Sequence, residues 1–246
     1  MTPHTYLLAD KTVNPEWRKV DDYLEPLLCP TGVGEAQEAE AFQRTLESHG
    51  QKDIPAINVS PLQGMYLYNT ALSIGIPRGS IKILEVGTLA GYSTLWLAKA
   101  AKEIGNNSKV ITLEYAEKHA RVARDNIASA GFGEDLVQVI VGDAKETINT
   151  LVDQGEQFDL IFIDADKPSY PEYWKATMKM VKKGSMIIGD NVVRQGRIAD
   201  PANKDENVIG VRAFMDLAAK EPNVTTTVMS TVNGKGWDGF TVSVVH

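Results

Sequence analysis

Two short polar segments carry side chains that are suited to binding a hard metal ion. One runs from Asp164 to Lys167 and reads DADK, the other is Asp190-Asn191, and each directly follows an apolar run typical of a β-strand. Carboxylate and amide oxygens are ligands that Mg²⁺ prefers in proteins. Because neighbouring parallel strands end at the same edge of a sheet, we expect the two segments to meet there. The pattern therefore predicts a divalent-metal site with a lysine beside it.

Three further turns, each after a predicted strand, have features of a nucleoside-binding site. Residues 85–93 read EVGTLAGYS, and glycines there let the backbone approach a ligand at a helix N-terminus. The spacing is GxxxG rather than the GxGxxG of dinucleotide sites. Glu114 ends the next strand, where a carboxylate can accept hydrogen bonds from two ribose hydroxyls. Gly142-Asp143-Ala144 follows the third strand, where an adenine ring could lie. A purely structural turn and an exposed strand-end charge remain the alternatives for the first two motifs.

An alternation of strands and helices from residue 81 onward must position these segments. Alternating elements joined by short turns indicate a parallel sheet covered by helices on both faces. Only a turn at Asn233-Gly234 separates the last two strands, so the final strand is expected to be antiparallel. The predicted fold class is α/β: a Rossmann-like, doubly wound, seven-stranded sheet, mostly parallel with the last strand antiparallel, plus N-terminal helices. The predicted strands are Ile81–Val86, Val110–Leu113, Val137–Val141, Phe158–Ile163, Met186–Ile188, Val224–Met229 and Phe240–Val245.

The chain is predicted to form a single domain. Residues 1–54 are expected to be a helical N-terminal extension, and residues 55–246 the catalytic core. Apolar residues recur at helical spacing over Val20–Leu28, until residues 30–32 (PTG) break the pattern, and again near Ala36–Leu46. Ser60-Pro61 predicts a capped helix that continues to about Ile74.

The composition argues against several classes of protein. The net charge is −7 and no basic block occurs, which argues against nucleic-acid binding. No apolar run approaches the roughly 18 residues of a transmembrane helix, and the N-terminus lacks the pattern of a secretory signal. Cys29 is the only cysteine, so no internal disulfide can form. We therefore expect a cytoplasmic protein with neither a membrane nor a nucleic acid as partner.

These segments give the chain a recognisable likeness: it resembles the cation-dependent O-methyltransferases, the family of caffeoyl-CoA and catechol O-methyltransferases. The resemblance covers residues 55–246 and rests on four stretches: LEVGTLAGYSTLWLA, VGDA, FIDADKPSY and GDNVVRQGRIADP. It implies methyl transfer from S-adenosylmethionine (SAM) to a hydroxyl, assisted by a divalent cation. The long N-terminal part and the GRIADP loop look more like the caffeoyl-CoA-type branch of bacteria and fungi than the catechol branch.

The resemblance implies a role for each segment. The turn after the first strand would hold the methionine moiety of SAM, the carboxylate after the second strand its ribose, and the third turn its adenine. Lys167 would be the general base. The implied cofactor-binding residues are Val59, Glu85, Gly87, Thr88, Ser93, Glu114, Asp143, Ala144 and Asp164. The implied metal ligands are Asp164, Asp190 and Asn191, for Mg²⁺ or another divalent cation such as Mn²⁺ or Ca²⁺.

Two positions depart from the family pattern. Glu114 stands where the family often has an aspartate, and it is a longer version of the same chemistry. Gln63-Gly64 stands where the plant enzymes usually carry an acid and a glycine, so a contact by Gln63 is left open. A substrate or metal contact by Asp166 is left open as well. Four aromatic residues either enclose the acceptor or are ordinary core and surface residues: Tyr170, Tyr173, Trp174 and Trp237.

The predicted function is the methylation of one hydroxyl of a vicinal-dihydroxy aromatic, such as a catechol, a flavonoid or a caffeoyl-type acceptor. Two adjacent oxygens can chelate one cation, which orients the ring and favours the ionised hydroxyl. Two alternatives stay open: a nicotinamide-dependent oxidoreductase, and a SAM-binding module without catalytic activity. The identity of the acceptor and the position of methylation also stay open. A homodimer is expected from the family branch alone.

Overall fold

Seven strands form one sheet in the computed structural model, which describes residues 14–29, 36–51, 54–105 and 107–246. The strands are β1 (Lys82–Val86), β2 (Lys109–Glu114), β3 (Val137–Val141), β4 (Phe158–Ile163), β5 (Val181–Gly189), β6 (Val224–Asn233) and β7 (Gly236–Val245). Their order in the sheet is β3-β2-β1-β4-β5-β7-β6. β1 to β5 are parallel, and β7 runs antiparallel to both of its neighbours, β5 and β6. The predicted fold class, including the antiparallel last strand, is confirmed.

Helices cover both faces of this sheet. Within the described ranges they are α1 (Pro15–Leu28), α2 (Ala36–Gln51), α3 (Pro61–Gly75), α4 (Tyr92–Ile104), α5 (Glu117–Ser129), α6 (Ala144–Asp153), α7 (Tyr170–Thr177) and α8 (Glu206–Lys220). One buried apolar cluster joins the sheet to α3, α4 and α5, and a second joins it to α6, α7 and α8. Because side chains alternate along a strand, Ile83 belongs to the first cluster and Leu84 to the second. Burial on both faces explains why the central strands read as unbroken apolar runs.

Capping side chains set the starts of three helices near the functional edge of the sheet. Ser60 accepts a hydrogen bond from the Gln63 N–H at the start of α3, where Pro61 takes the first helical position. Asp143 caps α6, and Asp205 caps α8. The predicted helix after Ser60 is confirmed. These caps end the preceding loops at defined residues, and those loops contribute to the site described below.

The strand ends differ from the sequence expectation at the antiparallel side of the sheet. β5 begins at Val181 rather than Met186: Val181 pairs with Phe158 of β4, and a register shift over exposed lysines and a glycine precedes the pairing of Met186. β6 and β7 reach the turn at residues 234–235, so both are longer than predicted. Hydrogen-bond pairing continues there through mostly polar residues and glycines, which interrupt the apolar pattern.

The N-terminal helix α1 packs against the turn between β6 and β7. The Asp21 carboxylate accepts a hydrogen bond of 2.5 Å from the Gly234 N–H. The predicted helix break at residues 30–32 lies outside the described residues, and the predicted division at residue 54 stays a prediction. In the part of the chain that the structure describes, no helix has the length and apolarity needed to cross a bilayer.

Helix α8 packs closely against the backbone of the segment that carries Lys167. A Cβ placed on Gly210 would lie 2.2 Å from the Lys167 carbonyl oxygen and 2.7 Å from the Pro168 Cα. Both contacts are with backbone atoms, which cannot rotate away as the end of a side chain can. The absence of a side chain at Gly210 therefore sets how closely α8 packs on this segment.

We expect Gly210→Ala to destabilise the protein by about 1–3 kcal/mol, because overpacking at this contact outweighs the roughly 1 kcal/mol that alanine gains over glycine in a helix. Urea unfolding measures the change, and Ile209→Ala, at the exposed neighbouring position, is the control. A more stable Gly210→Ala protein would show that helix propensity decides the balance and that the contact is loose.

Candidate active site

A cavity of about 750 Å³ opens at the carboxyl edge of the sheet. Its wall includes Gly87 after β1, Tyr115 after β2, Asp164 after β4 and Asp190 after β5. The sheet order reverses direction between β1 and β4, which lie side by side. In open α/β sheets, the crevice at such a reversal is the usual place for a ligand.

The structure brings nearly all of the predicted site residues to this one cavity. Those that line it are Val59, Gly87, Thr88, Ser93, Glu114, Asp143, Ala144, Asp164, Lys167, Asp190 and Asn191. Gln63 and Asp166, whose contacts were left open, line it too. The shared location is observed, while the binding role of each residue stays a prediction.

Glu85 does not line the cavity and lies behind its wall. Its carboxylate is fully buried and accepts hydrogen bonds from the Thr94 and Thr112 hydroxyls. Burial raises the pKa of Glu85 to about 7. Its Oε1 atom has no hydrogen-bond partner among the described residues. The Glu85 side chain points toward Thr94 on α4 and Thr112 on β2, so it is the one predicted cofactor-binding residue outside the cavity wall. Its contact with the methionine moiety stays a prediction.

The turn after β1 is held by Glu114 at the end of β2. The Oε2 atom of Glu114 accepts hydrogen bonds from the Leu89 N–H at 2.8 Å and the Thr88 N–H at 3.3 Å. Gly87 has a φ of +102°, and a Cβ on it would lie 2.2 Å from the Asp164 carbonyl oxygen. The strand ends of β1 and β4 are thus in backbone contact, which only glycine allows here.

Asp164 and Asp190 form an acidic pair at the ends of β4 and β5. Their N–H groups continue the ladder, donating to the Val86 and Ile163 carbonyls. Burial, together with the nearby Asp164 charge, raises the pKa of Asp190, and Lys167, the Asn191 N–H and the Gln63 side chain oppose the increase. Among the described residues no group of three His, Cys, Asp or Glu side chains is arranged to hold a metal. The predicted metal-ligand set, in which the Asn191 amide joins the two carboxylates, stays a prediction.

The Lys167 ammonium is buried beside this pair, with 6% of the residue exposed. Its Nζ donates to Asp164 Oδ1 at 3.0 Å, to the Ala165 carbonyl at 3.1 Å and to the Tyr170 hydroxyl at 2.8 Å. The Tyr170 hydroxyl in turn lies 2.8 Å from the Ile163 carbonyl and 3.0 Å from the Asp190 carbonyl. Tyr170 thus connects the lysine to the last carbonyl of β4 and to the first carbonyl after β5.

Asp166 and the four candidate aromatic residues divide between the cavity and the core. Asp166 lines the cavity, but its oxygens accept from the Ser169 N–H and the Tyr173 hydroxyl, so it holds the turn that carries Lys167. Tyr173 is the one of the four aromatics that lines the cavity. Tyr170 and Trp174 are buried in the core, and Trp237 is 42% exposed beside Ser230.

Asp238 and Arg194 are among the cavity-wall residues that were not singled out from the sequence. Asp238 at the start of β7 accepts hydrogen bonds from the Val193 and Arg194 N–H groups and so holds the loop that follows Asn191. Arg194 belongs to the stretch GDNVVRQGRIADP, but no role was assigned to it there. Asp238 lies in no motif and reaches the site only through strand pairing across 44 positions of sequence.

The sequence matches the model of the O-methyltransferase family over residues 34–240. The chain belongs to the O-methyltransferase family. The predicted family and the predicted enzyme class, a SAM-dependent O-methyltransferase, are confirmed by this match and by the relatives that follow.

This O-methyltransferase is similar over nearly its whole length to characterised and solved proteins. A catechol O-methyltransferase of Niastella koreensis is 37% identical, over 94% of this chain and 99% of that protein. The O-methyltransferase of Bacillus cereus, solved in complex with SAH, is 39% identical with a TM-score of 0.83, over 94% of this chain and 99% of that one. TomG of Streptomyces achromogenes, solved in complex with SAM, is 37% identical with a TM-score of 0.83, over 94% and 97% of the two chains.

We expect Tyr170→Phe to lower the free energy of unfolding by about 1–3 kcal/mol, because it removes one acceptor of the Lys167 amine and the hydroxyl proton that the Ile163 and Asp190 carbonyls share. Chemical denaturation provides the measurement. Tyr23→Phe, which removes the same atom from a tyrosine that is 70% exposed, should be close to neutral. Equal stability of the two variants would mean that the Tyr170 hydroxyl contributes nothing to holding this edge.

Proposed function

We propose that this O-methyltransferase transfers the methyl group of SAM to one hydroxyl of a vicinal-dihydroxy aromatic, with a divalent cation bound at Asp164, Asp190 and Asn191. The observation that carries the proposal is the Lys167 amine, held 3.0 Å from Asp164 in a cavity that also contains the other two oxygen ligands. A protein that only bound SAM would need neither the lysine nor the ligands. The catechol O-methyltransferase of Niastella koreensis supports the choice of acceptor by its name.

The side of the cavity near β1, β2 and β3 fits SAM. The turn after β1 and the start of α4 bring Thr88 and Ser93 to the wall, and Asp143 and Ala144 approach from the start of α6. Glu114 would hold the ribose by exchanging or sharing donors that its carboxylate already has. Oε2 accepts from the turn after β1, and Oε1 accepts from the Ala116 N–H at 2.9 Å and lies 3.3 Å from His119 Nδ1. The complexes of the Bacillus cereus and Streptomyces achromogenes relatives with SAH and SAM support this assignment. The spacing of the turn, GxxxG, gives no support to the nicotinamide alternative.

The side near β4 and β5 fits a hard cation. Burial and the nearby Asp164 charge raise the pKa of Asp190, so a positive ion beside these two carboxylates is favourable. Their oxygens and the Asn191 amide are suitable ligands for Mg²⁺, Mn²⁺ or Ca²⁺. When bound, such an ion stabilises the ionised form of a hydroxyl that coordinates it.

Lys167 is placed to accept the proton of the acceptor hydroxyl. In the transfer, a bond forms between this oxygen and the methyl carbon, while the carbon–sulfur bond breaks and its electron pair stays on sulfur. The hydroxyl proton goes to the lysine nitrogen, which must be neutral at that moment. The three acceptors now around Lys167 Nζ mean that an incoming hydroxyl has to displace one of them.

We expect turnover to depend on a divalent cation. Excess EDTA should abolish methylation and added Mg²⁺ should restore it, because the acidic pair alone cannot organise two adjacent hydroxyls. Calorimetry with Mg²⁺ alone should also show binding that is lost in Asp190→Asn. Full activity in EDTA, at a metal content shown to be nil, contradicts the metal assignment.

We also expect a second, adjacent hydroxyl on the acceptor to be needed for efficient methylation. A matched pair of flavonoids or cinnamates that differ only in this hydroxyl should differ by at least about 100-fold in kcat/KM. The diol should be methylated once, as read by mass spectrometry. Equal kcat/KM on the two members would contradict selection by chelation.

Two expectations stay predictions. A homodimer is supported by an exposed apolar stripe on α1, formed by Val20, Tyr23 and Leu27 at helical spacing. The cytoplasmic location has only the sequence arguments behind it.

A further inference from the structure

The Arg194 guanidinium lies in the wall of the cavity without an anionic partner. Its Nε atom is buried and has no hydrogen-bond partner among the described residues. Within the same residues no ion pair within 4 Å involves Arg194, whereas Arg197 pairs with Asp205 at 3.0 Å. A buried N–H donor without an acceptor costs free energy, so a ligand that supplies an acceptor at this place is favoured.

The backbone holds Arg194 in a strained and defined conformation. Its φ is +53°, in the left-handed region that non-glycine residues rarely adopt, and Gln195 follows with +58°. The Asp238 carboxylate accepts from the Arg194 N–H at 3.0 Å, and the Arg194 carbonyl accepts from Arg197 Nε at 3.1 Å. Such strain persists where the surroundings hold it, and it is typical of positions that aim a side chain at a ligand.

The acidic side chains nearby have other partners. The Oδ1 atom of Asp238 accepts three backbone N–H bonds, from Val193, Arg194 and Gly239. Asp166 is bonded to Tyr173 and Ser169, and Asp164 accepts from Lys167. Since none of these carboxylates pairs with Arg194 in the described ranges, a bound molecule can supply its anion.

The position of Arg194 indicates that this anion belongs to the acceptor rather than to the cofactor. Arg194 follows β5, three residues after Asn191, whereas the turn assigned to SAM follows β1. In the sheet β4 lies between those two strands. The carboxylate of SAM would be held near the β1 turn, while a group on the acceptor would extend past the oxygen ligands toward Arg194.

We propose that Arg194 binds a carboxylate on the acceptor, so that the preferred substrates are aromatic diols with an acid side chain, such as dihydroxycinnamates or dihydroxybenzoates. The inference rests on the proposed function, because it places the diol at Asp164, Asp190 and Lys167 and the acid at the other end of the ring. A guanidinium suits this task, since its planar donors match the two oxygens of a carboxylate.

The test compares 3,4-dihydroxycinnamate with its methyl ester, which has the same diol and no charge. The unaltered enzyme should prefer the acid by about tenfold or more in kcat/KM. Arg194→Gln should lower kcat/KM on the acid by about 10- to 100-fold and on the ester by less than about threefold. The kcat/KM of Arg194→Lys on the acid should lie between those of the unaltered enzyme and Arg194→Gln. An ammonium keeps the positive charge but lacks the paired N–H donors of a guanidinium. Arg121→Gln, on the exposed side of α5, removes the same charge and should leave both rates unchanged.

Three results would overturn the proposal. The first is an equal kcat/KM on acid and ester with the unaltered enzyme, and the second is an equal fall in kcat/KM on both compounds in Arg194→Gln. The third is a loss of SAM affinity in that variant, measured by calorimetry, with an unchanged preference for the acid. The last result would assign Arg194 to the cofactor carboxylate. Retained SAM affinity also shows that the variant is folded. If neither compound is methylated, the proposed function fails, and calorimetric binding of acid against ester to the two proteins still decides the role of Arg194.

Discussion

The Lys167 ammonium lies at the sheet edge almost out of contact with water, and a buried ammonium without partners is expensive. Asp164, the Ala165 carbonyl and the Tyr170 hydroxyl supply these partners. Tyr170 can do so because its ring is fully buried and its hydroxyl is held by the last carbonyl of β4 and the first carbonyl after β5. The amine is thereby positioned by two rigid strands, although a short turn carries it.

The charges of this cluster do not balance within the protein. Asp164 and Asp190 carry two negative charges when ionised, and Lys167 carries one positive charge. Burial and repulsion by the Asp164 charge raise the pKa of Asp190, as expected where negative charge is in excess. A divalent cation would relieve it, and it would compete with the lysine for the same Asp164 carboxylate. Metal binding and the protonation of Lys167 are therefore coupled in the proposed function.

The antiparallel course of β7 gives the acceptor side of the cavity its wall. A strand that runs opposite to β5 begins at the edge where β5 ends. The first residues of β7, Gly236 and Asp238, therefore line the cavity. From this position Asp238 holds the loop after Asn191 and sets the direction of Arg194. In the proposed function, the turns after β1, β2 and β3 hold the cofactor, and β7 completes the acceptor side beside the ends of β4 and β5.

Much of the site could be predicted because parallel strands all end at one edge of their sheet. Asp164, Asp190 and Glu114 are recognisable as strand-end residues, and hydrophobic pattern alone places the strands before them. The sequence by itself thus determined the fold class, and nearly all of the site residues predicted from it line the cavity. Strand boundaries were less predictable where pairing runs through exposed residues, as in β6 and β7.

What only the tertiary structure decided depends on contacts between distant residues. Which way a strand-end side chain points is set by packing, so Glu85 lies behind the wall rather than in it. The partners of Tyr170 are backbone carbonyls, which leave no mark in the sequence. The left-handed turn at Arg194 is held by a residue 44 positions away. Local pattern reports the period and polarity of a segment, whereas these features arise from the meeting of segments that only the folded sheet brings together.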